Sequence, residues 1–89
     1  MKYYGHPISV SFKEGDIRDV LNFIAEESGL NMVISEEVKG NVSIKLRKIP
    51  WDQALIIILQ AKQLGYVRQG NILRVAPLEI LKREAENTK

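Results

Sequence analysis

No cysteine occurs anywhere in the 89 residues. That excludes disulfides, thiolate zinc sites and a thiol nucleophile, and it leaves the redox compartment open, because a cysteine-free domain survives in either. Histidine occurs once, at His6, so a metal site would rest on carboxylates. Charge of one sign is also in short supply. Thirteen Lys and Arg stand against eleven Asp and Glu, a formal net +2, too little to announce nucleic acid or an anionic membrane. Long apolar runs are missing: in "IPWDQALIIILQAKQLG" the uninterrupted stretch is only Ala54 to Leu59, where a bilayer span takes about 20 residues. The start, "MKYYGHPISV", has no apolar core of a signal peptide, which leaves a cytosolic chain or a piece of a longer exported one.

What is present is ordinary globular material, 45% hydrophobic and 27% charged, in a chain long enough to bury roughly 60 to 65% of its unfolded surface without metal or disulfide. "ISVSF" alternates, with Ile8, Val10 and Phe12 on one side and Ser9 and Ser11 on the other, the pattern of a half-buried strand. "KEGD" breaks it. Asp16 suits a helix N-cap, with Asp19 at the capping-box position, and Ile17, Val20, Leu21, Ile24 and Ala25 follow at helical spacing until Gly29. "LNMVIS" reads as a second strand, "EEVKG" as a turn and "NVSIKL" as a third strand, Val42, Ile44 and Leu46 opposing Ser43, Lys45 and Arg47. A second helix is expected to take Pro50 as its first residue and to stop at Gly65. "YVRQ" and "ILRVA" flank Gly70-Asn71, a two-residue hairpin loop, and Pro77 closes the sheet. The division is 1–77 as the domain and 78–89, "LEILKREAENTK", as a polar tail, a frayed helix or the start of a linker.

The order is therefore β-α-β-β-α-β-β, an α+β fold. At 100° per residue the apolar positions of helix one fill an arc of roughly 140°, but those of helix two, from Trp51 through Leu55 and Ile58 to Leu64, fill roughly 220°. A helix that apolar needs cover on two sides. With five short strands available, two helices sandwiched between a two-stranded and a three-stranded sheet is the economical solution. Trp51 falls within the arc and is expected in the core, whereas Phe23 and Ile56 lie off the arcs and either pack under a sheet or meet a partner.

"DIRDVLNFIAEESGLNMVIS", then "VKGNVSIKLRKIPWDQALIIIL" and "GNILRVAP", resemble the short N-terminal domain shared by secretins and TonB-dependent receptors, most of all the first periplasmic domain of type IV pilus secretins. The resemblance implies the same two-sheet sandwich. It implies an exported protein at the periplasmic face of the outer membrane, from which this domain has been excised, and subunits packed side by side in a ring and docked to an inner-membrane pilus lipoprotein or alignment complex. The isolated domain is expected to be monomeric, since one small module supplies little contact area. A signalling domain of a TonB-dependent transducer is the alternative within the family. The gene beyond the codon for Lys89 separates the two: a secretin pore in one case, a plug and barrel in the other.

No catalytic constellation stands out, so a non-enzymatic interaction module is expected, with no cofactor and no small-molecule substrate. Asp16 and Asp19 are explained by capping, and the glycine turns lack a P-loop pattern. Lys45, Arg47, Lys48, Arg68 and Arg74 make the case for a nucleic-acid-binding domain, but Glu14, Glu36 and Glu37 oppose it, and Tyr3, Tyr4 and Tyr66 are not interleaved with the basic residues. Strands one and three, each with a matched apolar face, are expected to form the two-stranded sheet. Ser9, Ser11, Ser43, Lys45 and Arg47 then face outward, a shallow, hydrogen-bonding, cationic surface suited to an acidic or polar strand of a partner. The plainer reading is a solvated sheet face.

Overall fold

Helix one starts at the expected cap. In the computed structural model, which describes residues 5–87, Asp16 is extended and its Oδ1 accepts the backbone N–H of Arg18 at 2.9 Å, opening α1 (Ile17–Ser28). The carboxylate thereby satisfies one of the helix's orphan donors. Asp19 stays exposed and makes no return bond among the described residues, so the cap is a single contact and not a capping box. Gly29, at φ 75, ends the helix by donating its N–H to Ala25 O at 2.9 Å. Ile17, Val20, Leu21 and Ile24 have no exposed surface.

The remaining elements are β1 (Pro7–Asp16), β2 (Asn31–Ile34), β3 (Asn41–Pro50), α2 (Trp51–Ala61), β4 (Leu64–Gln69), β5 (Ile72–Pro77) and α3 (Leu78–Asn87). β1 and β3 pair antiparallel as one sheet; β2, β5 and β4 form the other in that order, with β2 parallel and β4 antiparallel to β5. α1 and α2 pack against each other between the two sheets. Ile8 from the small sheet, Leu64, Leu73 and Val75 from the larger one, and Ala54, Leu55, Ile58 and Leu59 from α2 meet α1 in one core. α2 is covered on both sides, as its wide arc requires.

Both boundaries of α2 differ from expectation. Pro50 is the last residue of β3 and the N-cap of α2, one position before the helix. The helix stops at Ala61, and the turn is made by Lys62 and by Gln63 at φ 55, so Gly65 is not the stop. Gly65 instead lies in β4, opposite Ala76 of β5. A Cβ on Gly65 would sit 2.7 Å from Leu78 Cδ2 and 2.9 Å from Leu81 Cδ1. This glycine makes room for α3, which packs on the outer face of the larger sheet. The stretch expected as a frayed helix or the start of a linker is a packed helix through Asn87, held further by a bidentate pair from Arg74 Nη1 and Nη2 to Glu84, each 2.8 Å.

β1 and β3 run longer than the alternation suggests, because each carries a bulge. Register shifts separate Ile8↔Ile49 from Val10↔Leu46 and Phe12↔Ile44 from Gly15↔Val42. Glu14 (φ 49) and Lys48 (φ 51) occupy the left-handed region there, which costs a non-glycine residue about 1–2 kcal/mol. The freed N–H groups are satisfied across the pair: Glu14 N donates to Ser43 Oγ at 2.9 Å, and Lys48 N to Ser9 Oγ at 3.2 Å.

Candidate functional site

The paired strands β1 and β3 point Ile8, Val10 and Ile44 toward the helices and leave Ser9, Ser11, Ser43, Lys45 and Arg47 exposed on the other side. Ser11 lies directly opposite Lys45. Lys13 and Lys48 extend the same face, and the ion pairs found among the described residues, Arg74–Glu84 and Arg83–Glu79, both lie at α3. Among the described residues the cations of this face therefore form no ion pair, and Glu14 at the bulge is the acidic residue beside them. Two of the three serines also have a structural duty, accepting the bulge N–H groups; each hydroxyl retains its proton for donation outward.

The off-arc residues separate. Phe23 is half-buried, and its ring meets that of Phe12 edge-on, centroids 6.0 Å apart at 75°, closing the end of the core beneath β1. Ile56 goes elsewhere. It lines a groove of about 370 Å³ between α2 and the β4–β5 hairpin, together with Trp51, Tyr66, Arg68 and Ile72. Trp51 is half-buried: it packs against the edge of the core, as expected, and also forms a wall of this groove; Gly5 lies against its ring, and Gly5 N donates to Asp52 Oδ1 at 3.3 Å. Sequence reasoning missed the groove. Its available signal was that Tyr66 and Arg68, two apart on β4, share a face with apolar residues that the arcs did not accommodate.

Also unforeseen is Arg18. Its guanidinium donates to the carbonyls of Ile34 (3.3 Å), Ser35 (2.9 Å) and Val38 (3.2 Å), folding the β2–β3 loop so that Val38 is 1% exposed. His6 is exposed, and its carbonyl accepts the Trp51 N–H at 3.1 Å. No group of three or more metal-ligating side chains occurs among the described residues, and no helix there is long and apolar enough to cross a membrane. Arg68 and Arg74, from the basic set, sit in the groove and on the outer face of the larger sheet, away from Lys45 and Arg47, so no continuous basic track forms. Tyr3 and Tyr4 lie outside the described residues.

Residues 30–78 match the family described as the secretin and TonB N terminus short domain. The type IV pilus biogenesis and competence protein PilQ of Neisseria meningitidis is 42% identical over 79 residues, 89% of this chain and 10% of that protein. The fimbrial assembly protein PilQ of Pseudomonas aeruginosa is 44% identical over 85 residues, 94% of this chain and 12% of its own length. The chain thus spans about a tenth of the length of these relatives. Among solved structures, the type IV competence pilus secretin PilQ of V. cholerae superposes with a TM-score of 0.79 at 40% identity, over 88% of this chain and 19% of that one.

Proposed function

We propose that this chain, which belongs to the secretin and TonB N-terminus short domain family, is the periplasmic interaction module of an outer-membrane type IV pilus secretin. It stands as one copy in a ring of subunits and docks to an inner-membrane pilus lipoprotein or alignment complex, giving the pilus a continuous passage. Its work is contact and not catalysis. The observation that carries the reading is its likeness, across most of its length, to pilus secretins of three genera.

The docking face we assign is the outward side of β1 and β3. Ser9, Ser11 and Ser43 keep it shallow, Lys45 and Arg47 make it cationic, and all five are exposed. Such a surface favours an acidic or polar strand, with long-range attraction raising the association rate and falling with salt. To test it, Lys45→Glu and Arg47→Glu are combined, the fold is checked by circular dichroism, and the variant is titrated against the soluble domain of the inner-membrane lipoprotein from the same organism. Affinity should fall at least tenfold and lose most of its salt dependence. Unchanged affinity removes this face.

A further inference from the structure

We infer that the groove between α2 and the β4–β5 hairpin is a second recognition site, for an extended peptide segment of a partner protein that alternates apolar and acidic side chains. This site is separate from the β1–β3 face and stands without it. Its occupant is specified by three features. First, among the described residues β4 is an edge strand, paired with β5 alone, so its other side offers backbone N–H and C=O groups to an added strand. Second, Tyr66 and Arg68 alternate along β4 and both line the groove. Side chains of a strand laid beside β4 share this two-residue period, so every second one would enter the same groove.

Third, the lining selects chemistry. Trp51, Ile56, Tyr66 and Ile72 present apolar surface, Tyr66 and Ile72 remaining 48% and 39% exposed, and the one carboxylate of the lining, Asp52, is engaged by the N–H groups of Gly5 and Gln53. Arg68 is exposed and forms no ion pair among the described residues; its Nε donates only to the carbonyl of Gly70 at 3.4 Å. Its fork is thus open to a carboxylate held bidentately. Trp, Tyr and Arg together are the side chains that dominate binding hot spots. About 370 Å³ accommodates one or two apolar side chains, not a folded domain. α3 packs on the sheet's opposite face and so does not cover the groove.

Trp51 is the chain's one tryptophan, so its emission reports on the groove. The experiment selects a phage-displayed library of random ten-residue peptides on the 89-residue chain, then titrates the enriched synthetic peptides by Trp51 fluorescence and by amide chemical shifts. Expected are peptides alternating apolar and acidic residues, a blue shift of Trp51, and shifts confined to β4, the hairpin and the start of α2. Arg68→Glu should weaken them at least tenfold while leaving the spectrum of the free domain otherwise intact; Arg68→Lys, which keeps the charge but not the fork, should weaken them less. The inference is overturned if no peptide is enriched, if the enriched peptides are basic, if shifts fall on Lys45 and its neighbours, or if Arg68→Glu leaves binding unchanged. It is equally overturned if the groove signals move with protein concentration alone, which would make a second copy the occupant.

Discussion

Valine at position 65 should release α3 while leaving the core folded. Gly65 needs no left-handed backbone; its Cβ space is already taken by the tips of Leu78 and Leu81, at 2.7 and 2.9 Å. An alanine there could be met by leucine rotamer changes, but the two methyls of a valine reach further into the same volume. Overpacking of this kind costs about 1–3 kcal/mol. The penalty is capped by what the docked helix is worth. Leu78 is 43% exposed and Leu81 is half-buried, so two half-buried leucines contribute about 2 kcal/mol between them. Gly65→Val should therefore shift docking toward the free helix by about 30-fold, and a free segment of α3's length melts, because isolated helices that short are marginal in water. Hydrogen exchange resolves it: α3 amides should lose protection while those of Ile58 and Leu59 in the core change far less. Gly29→Ala is the control, since Gly29 sits at φ 75 with nothing within 4 Å; it should cost about 1 kcal/mol through backbone strain and leave α3 seated. If α3 protection survives Gly65→Val, or falls only in step with the core, the small-residue seat is refuted.

Ile58→Ala should destabilise by about 2–5 kcal/mol, because Ile58 has no exposed surface, whereas Trp51→Ala, which trims a groove wall, should cost less than the 3–5 kcal/mol of a fully buried tryptophan; urea titration giving the opposite order contradicts the half-burial of Trp51. The hydrogen bonds from Arg74 hold the Glu84 carboxyl below its usual range, with the charge of Arg74 adding to them. A lowered folded pKa means that its contribution is present above the ordinary glutamate value of about 4.3 and is lost as pH falls through the folded value. Exchange of α3 amides, corrected for intrinsic rates, should therefore accelerate in acid, and Glu84→Gln should abolish that dependence. The isolated chain should be monomeric at micromolar concentration, because its exposed apolar residues fall short of a standard interface; light scattering showing a stable higher oligomer contradicts this.

The sandwich was legible because α2 is too apolar to be covered once, and the pairing of β1 with β3 because Ile8, Val10 and Phe12 match Val42, Ile44 and Leu46 in alternation. The strand ends were not. Arg47 and Lys48 are consecutive polar residues, which reads as the end of β3; the bulge there resets the two-residue period, so that Ile49 again packs against the core. A single left-handed lysine carries no sequence signature. Gly65 resembles a helix stop because glycine serves both as a terminator and as a space for a neighbour, and only the position of α3 distinguishes the two. The cationic face was legible from alternation alone. The groove was not, since Trp51, Ile56 and Arg68 converge only once the hairpin folds over α2. Arg18 escaped for the same reason: its acceptors are backbone carbonyls in a loop, which no residue pattern announces.

The two bulges are the places where β1 and β3 carry one residue more than the ladder between them needs. Ile8, Val10 and Phe12 face inward at even numbers before Glu14, and Gly15, opposite the inward Val42, takes that face at an odd number after it; β3 makes the same change of parity at Lys48, between Leu46 and Ile49. Removing the residue at position 14 would leave Phe12 opposite Ile44 and Gly15 opposite Val42 with Lys13 alone between them, so the ladder becomes regular and Ser9 and Ser11 stay outward. Substitution at 14 or 48 is a local matter, and glycine there would even ease the backbone. A descendant of this domain is thus free to lose the extra residue at either bulge without exchanging the two faces, whereas an insertion or deletion elsewhere in either strand reverses the alternation unless a bulge absorbs it.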